Sequence, residues 1–271
     1  MAVAELDRES LASVKEQSFI SVVWSRFRRH KLAVGSAVVL IVIVLACALA
    51  PIIAPYKPIV INKDETGAII KNAPPSIKFF MGTDNIGRDV FSRLLYAGRI
   101  SLLIAFVVTI VGETLGALIG AISGFYGGWV DEVIQRVVEF LLTLPLLPLL
   151  LAFSALLRGL TIPGLPTEWS SAVIIAIILI IFGWMGSSRL MRGMVLSLRN
   201  QEFTEAARAM GLGNFGIIVR HMIPNALAPI IVSATLSLGG VIILESALSF
   251  LGFGIQPPIP TWGNMLAEYQ G

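Results

Sequence analysis

The chain has 271 residues, of which 56% are hydrophobic and 14% charged, and its mean hydropathy is +0.84. A soluble domain carries charge on about 25% of its residues, so this composition excludes one and describes an integral membrane protein. The net charge of +3 fits the Lys and Arg bias of cytoplasmic loops, not a nucleic-acid binder, whose basic groove must be solvated.

Residues 1–31 are polar and end in "RFRRHK", where Arg26, Arg28, Arg29 and Lys31 form a cytoplasmic flank to the first apolar run. That run, residues 32–53, exceeds the roughly 20 residues needed to cross about 30 Å of hydrocarbon and is the first predicted span. Its "VLAC" has a faint lipobox look, but the run is longer than the about 7–15 residues of a signal and further spans follow. Cys47 is the one cysteine, so it has no internal disulfide partner and reads as a small core residue.

Residues 54–99 form a polar external loop. Within it, Val90, Leu94 and Leu95 recur at helical spacing beside Arg88, Asp89 and Arg93, predicting a short amphipathic surface helix over residues 88–98. The second span is residues 100–126. In it Gly112, Gly116, Gly120 and Gly124 leave one helical face without side chains, open to another backbone from this chain or a second subunit. After the tight turn "GGWVDE", whose Asp131, Glu132 and Arg136 read as solvated, comes a third span at residues 133–157. Pro145 and Pro148 predict that it kinks or breaks mid-membrane.

The fourth span is residues 170–186 and the fifth is residues 226–250. Residues 251–271 are too polar and proline-rich to cross, and form an external segment. With the N-terminus inside, five spans also put residues 127–132 and 189–223 inside. The latter carry Arg189, Arg192, Arg199, Arg208 and Arg220, against one Arg in residues 158–169, as the positive-inside rule expects.

The polar stretch "EFTEAARAMGLGNFGIIVRH", residues 202–221, therefore faces the cytoplasm. Asn200 can cap a helix there, Glu202 favours its first turn, and Gly211 can supply a left-handed residue that ends it. Phe203, Ala206, Ala207 and Met210 fall at i, i+3, i+4 and i+7 and make one apolar face, with Glu205 and Arg208 on the wetter side. Such a helix suits either a groove in a partner or the lipid headgroups.

The pattern Glu205-Ala206-Ala207, Gly211 and His221-x-x-Pro224-Asn225 resembles the EAA motif of ABC importer permeases. Residues 82–102, 124–136 and 245–266 narrow the resemblance to the dipeptide, oligopeptide and nickel group, second membrane subunit. The resemblance implies an all-α membrane fold of the type I ABC importer permease kind and a non-catalytic subunit forming half of a translocation pathway. It assigns Phe203, Glu205, Ala206, Ala207, Arg208, Met210 and Gly211 to a coupling helix, with His221, Pro224 and Asn225 ending the coupling loop. It implies a second homologous permease subunit, two ATPase subunits that bind ATP and Mg2+, and an extracytoplasmic substrate-binding protein as partners. The chain itself has no GxxxxGK[ST] phosphate loop. Two departures stand out: the family has a sixth span beyond the position of Gly271, and Glu139 occupies a place where Asp is usual.

Two acids fall within spans, where ionised groups cost about 3 kcal/mol on insertion scales and face a cavity or partner. For Glu113 both readings stay open. Glu245 reads either as an outer-mouth residue or as a polar group bonded to the loop after the fifth span, and Trp262 either as part of that mouth or as an interfacial anchor. Other classes fare worse. His30 and His221 are the only histidines, too few with one thiol for a hydrolase centre or a tetrahedral metal site. The rival reading is an ion-coupled secondary transporter acting alone, which uses broken helices and intramembrane acids.

Overall fold

The structure, a computed structural model, describes residues 24–25 and 27–269. The cytoplasmic flank expected over residues 1–31, including Arg26, lies largely outside the described residues. The chain divides into two units, Met1–Ala46 and Cys47–Gly271. In the first, α1 (Lys31–Ala48) begins, an 18-residue apolar helix with no acid in its first turn and no base in its last. Its side chains Val38, Leu40 and Val42 are more than half exposed, as lipid-facing groups are.

In the second unit, Pro51 starts the short helix α2 (Ala50–Ile53) directly after α1 ends, so the first span is a helix with a proline break. The main helix is α3 (Val90–Tyr126), 37 residues. The expected surface helix over residues 88–98 is not separate: it is the first part of α3, because no proline interrupts residues 90–126. Asp89 caps it by accepting from the Ser92 N–H at 2.8 Å. At 1.5 Å per residue α3 is about 55 Å long, well beyond the about 30 Å of hydrocarbon, so part of it stands outside the hydrocarbon.

Gly127 and Gly128, at φ +65° and +53°, turn the chain into α4 (Gly128–Thr143), a left-handed step that side chains resist. α4 meets α5 (Leu146–Leu156) at a bend of 89°. The break is at Pro145, the N-cap of α5, while Pro148 sits in the first turn, where the missing N–H has no intrahelical partner to lose. α6 (Thr167–Gly183) and α7 (Met185–Leu198) together form a second long apolar element bent at Trp184. The expected cytoplasmic loop of residues 189–223 is accordingly shorter. Helix extends to Leu198 and resumes with α9 (Asn214–Ile217), leaving residues 199–213 around the small helix α8 (Glu202–Ala209).

α9 passes through a π-turn (Ile218–Met222) into α10 (Ile223–Phe250), so the fifth span starts earlier than the expected residue 226. The π-turn sits just before Pro224, whose ring would otherwise clash one turn back. The side chain of Asn225 donates to the His221 carbonyl at 2.7 Å, satisfying an acceptor in the disturbed turn. Among the described residues, the segment after α10, expected to be external, carries one helix that hydropathy did not reveal, α11 (Trp262–Glu268), capped by Thr261.

α3 is the axis on which the unit is packed. A Cβ added to Gly116 would fall on the Trp184 carbonyl, at Gly120 on the Ser188 carbonyl, and at Gly124 2.8 Å from the Arg192 carbonyl. These three glycines let the α3 and α7 backbones touch. Gly112 does not share this role, since a Cβ there meets nothing within 4 Å. Two cores flank the contact: Val108, Leu150, Ile178 and Leu248 at one end, and Ala121, Met191, Val195 and Met222 at the other.

Gly120→Ala is expected to lower stability by about 1–3 kcal/mol, the usual cost of overpacking, and Gly112→Ala to leave it unchanged. Thermal unfolding of the two variants in detergent, followed by circular dichroism, checks the difference.

Candidate functional site: a short helix keyed to two long helices

α8 begins after Gln201 with no side-chain cap, so Asn200 does not play the expected capping part. Its acids Glu202 and Glu205 fall in the first turn and Arg208 in the last, each at the end of the helix dipole that favours it. The helix ends as expected at Gly211, φ +80°. The Gly211 N–H bonds to the Arg208 carbonyl at 2.9 Å and the Leu212 N–H to the Ala207 carbonyl at 3.1 Å. This pair of bonds is a Schellman cap.

The apolar face expected from Phe203, Ala206, Ala207 and Met210 is split. Ala207 is wholly buried among Met191, Val195, Ile217, Ile218 and Met222. Thr204, also 0% exposed, donates its hydroxyl to the Leu198 carbonyl at 2.9 Å. Ala207 and Thr204 thus key α8 into the ends of α7 and α9. Phe203, Glu205, Ala206, Arg208 and Met210 point outward, with Met210 72% exposed. Arg208 also lies over the Phe125 ring at 5.4 Å, and Phe203 stands beside the His221 ring at 6.5 Å. Pro224 is exposed and Asn225 holds the turn as described.

Two contributors escape sequence reasoning. Phe215 is 76% exposed and adds an apolar knob on α9, the helix that follows α8. Its one signal was a bulky aromatic in a short polar loop. The other is Asp131, expected in a solvated turn. It accepts from Arg192 through both oxygens, at 2.5 and 2.6 Å, and from Ser123 at 2.5 Å. This pair ties the start of α4 to α7 next to the glycine contact. Glu132 and Arg136, by contrast, remain a 4.0 Å surface pair.

The two intramembrane acids are both enclosed. Glu113 on α3 accepts from Ser237 at 2.6 Å and Ser233 at 3.4 Å, both on α10. Glu245 is 0% exposed and accepts from Ser101 at 3.1 Å and Ser249 at 2.8 Å. Each serine also meets the external segment: Ser249 accepts from the Ile255 N–H and Ser101 from the Trp262 N–H. Glu245 is thus the polar centre that bonds the loop after α10, and it lines no open mouth within this chain. Trp262 lies against α3 at Gly98. Met265 is buried and Leu266 exposed.

A charge cluster closes the same end. Asp84 accepts from Arg88 at 2.6 Å and Arg93 at 2.8 Å, and Glu268 of α11 accepts from the same two at 2.7 and 2.5 Å. Burial pushes the Asp84 carboxyl up, but bonds from the Arg88 N–H and guanidinium outweigh it and hold the group below its ordinary value.

Comparison with known proteins adds the decisive observation. Residues 116–271 match the family model described as binding-protein-dependent transport system inner membrane component. The chain belongs to that family. Residues 18–75 of this permease also match the N-terminal transmembrane domain of oligopeptide transport permease C. The permease is 35% identical over 263 residues to the dipeptide transport system permease protein DppC of Bacillus subtilis (strain 168), covering 96% of this chain and 77% of that one. It is 36% identical over 246 residues to the oligopeptide transport system permease protein OppC of Escherichia coli (strain K12), covering 90% and 76%. The DppC of Alkalihalophilus pseudofirmus is likewise 36% identical over 246 residues, covering 90% and 75%. Membership in this family displaces the reading of an ion-coupled transporter acting alone. The protein is a multi-pass inner membrane permease subunit.

Asp84→Asn leaves buried Arg93 with one charged partner and is expected to cost about 3–5 kcal/mol, as breaking a buried pair does. The wild-type sign follows from the lowered carboxyl. Its contribution is complete above the unfolded value of about 3.9 and disappears as pH falls through the lower folded value. Thermal stability should therefore hold from about pH 7 to about pH 5 and drop below about pH 4, and this drop should be smaller in Asp84→Asn.

Proposed function

We propose that this permease is half of the translocation pathway of an ATP-driven importer of di- or oligopeptides, with α8 as the handle through which ATPase subunits move it. The observation that carries the coupling role is the split of Glu205-Ala206-Ala207 between two environments. Ala207 is locked into the core at the ends of α7 and α9, while Phe203, Glu205, Ala206 and Met210 face outward. A rigid eight-residue helix so held transmits a push on its outer face to two long helices at once. Small Ala206 between larger Phe203 and Met210 forms a shallow notch, the surface that a helix-in-groove contact needs.

Peptide transport is supported by the names of the relatives, which are dipeptide and oligopeptide permeases. The remaining parts of the assembly are a second homologous permease, two ATPase subunits holding ATP and Mg2+, and an extracytoplasmic binding protein. The N-terminus and residues 199–213 lie in the cytoplasm, and residues 54–89, 157–166 and 251–271 lie outside, with Arg192, Arg199, Arg208 and Arg220 on the inner side.

Co-purification of the chain with its neighbouring subunits, with ATP hydrolysis as readout, tests the reading. Glu205→Lys reverses a charge on the outward face, Gly211→Pro is incompatible with φ +80°, and Phe215→Asp removes the apolar knob. Each is expected to release the ATPase or to cut binding-protein-stimulated hydrolysis at least tenfold while the chain stays in the membrane. Retention of a fully coupled ATPase in all three refutes the assignment.

A further inference from the structure

At the end of the bundle that carries α11, the α5–α6 connection and the loop after α10 enclose a cavity of about 240 Å3. None of α8, Glu113 or Glu245 lines it. Its apolar wall is Leu157, Ile174, Ile175 and Phe253. Arg158 and Glu168 also line it, and among the described residues neither forms an ion pair. Ser154 lines it too, from the last turns of α5. It is 4% exposed and its hydroxyl has no hydrogen-bond partner.

That last observation matters most. A serine in a helix ordinarily returns its hydroxyl to a backbone carbonyl one turn back, and a buried polar atom left without a partner is costly. Two other polar groups around the cavity are engaged: the Ser171 hydroxyl accepts from the Gln256 N–H at 3.1 Å, and the Gln256 amide donates to the Gly254 carbonyl at 2.8 Å. They fix the walls and leave groups of three kinds for an occupant, namely a guanidinium, a carboxylate and hydroxyls, with Thr161 and Thr167 lining the cavity beside Ser154.

We propose that this cavity binds a short zwitterion with an apolar side chain, either a free amino acid or a dipeptide. The guanidinium of Arg158 takes the carboxylate, for which its planar fork is suited. Glu168 takes the ammonium, the Ser154 hydroxyl meets a polar atom between them, and the apolar wall takes the side chain. Drug-sized pockets run to about 300–1,000 Å3, so this smaller one excludes an oligopeptide. The inference rests on the proposed orientation only for its biological sense, as an outside site where a peptide released from the binding protein is held or sensed before entering the pathway.

The test uses the assembled transporter in lipid nanodiscs, open on both faces and free of binding protein, with labelled glycyl-leucine and labelled leucine as probes in equilibrium dialysis. Saturable binding of at least one probe is expected, weakened tenfold or more by Arg158→Gln and by Glu168→Gln. N-acetylglycyl-leucine, which lacks the ammonium, is expected to bind wild type and Glu168→Gln alike. Tighter binding of glycyl-leucine names a dipeptide as the occupant, and tighter binding of leucine names an amino acid. Absence of saturable binding to wild type, or affinities unchanged in both charge variants, overturns the site. ATP hydrolysis is scored on the same samples, so a transporter that hydrolyses ATP but binds neither probe refutes this site and not the proposed function.

Discussion

The bundle depends on one contact, the approach of the α3 backbone to the α7 backbone across Gly116, Gly120 and Gly124. Between helices in lipid there is no hydrophobic gain from association, so close van der Waals packing has to supply the adhesion. The Arg192 to Asp131 pair stands at the Gly124 end of this contact and fixes where α4 departs. Because α7 is held so closely, its end at Leu198 is a firm anchor for α8, and the buried Ala207 and Thr204 find a fixed surface to key into. The position of α8 is thus a consequence of missing side chains about two to four turns of helix away.

The apolar helices were legible because lipid imposes a simple rule, that every backbone polar group be satisfied within the segment. Length and hydropathy then locate spans with little ambiguity, and Pro145 marked its break. Their ends were less legible. Hydropathy falls off at Arg99 and Arg189, but helical structure does not, since α3 and α7 continue into regions where charged residues have partners. Arg93 is apolar in neither composition nor spacing, yet it is 3% exposed because Asp84 and Glu268, 9 and 175 residues away, surround it.

At the candidate site, spacing identified the helix and the glycine that ends it. It could not divide the apolar stripe into an inner and an outer half, because that division depends on where α7 and α9 lie. Ala206 and Ala207 are chemically identical and adjacent, and only tertiary packing separates their environments. The π-turn was similarly hidden, although Pro224 and Asn225 are its local cause.

The charge cluster around Arg93 has a mechanical meaning. Asp84, Arg88, Arg93 and Glu268 join the loop before α3 to α11, while Ser101, Glu245 and Ser249 join α3 to α10 and to the segment between α10 and α11. Packed interiors of this kind do not deform continuously, so these elements travel as one block. When this unit rearranges, the seam therefore runs along the surface of the block and not through its interior.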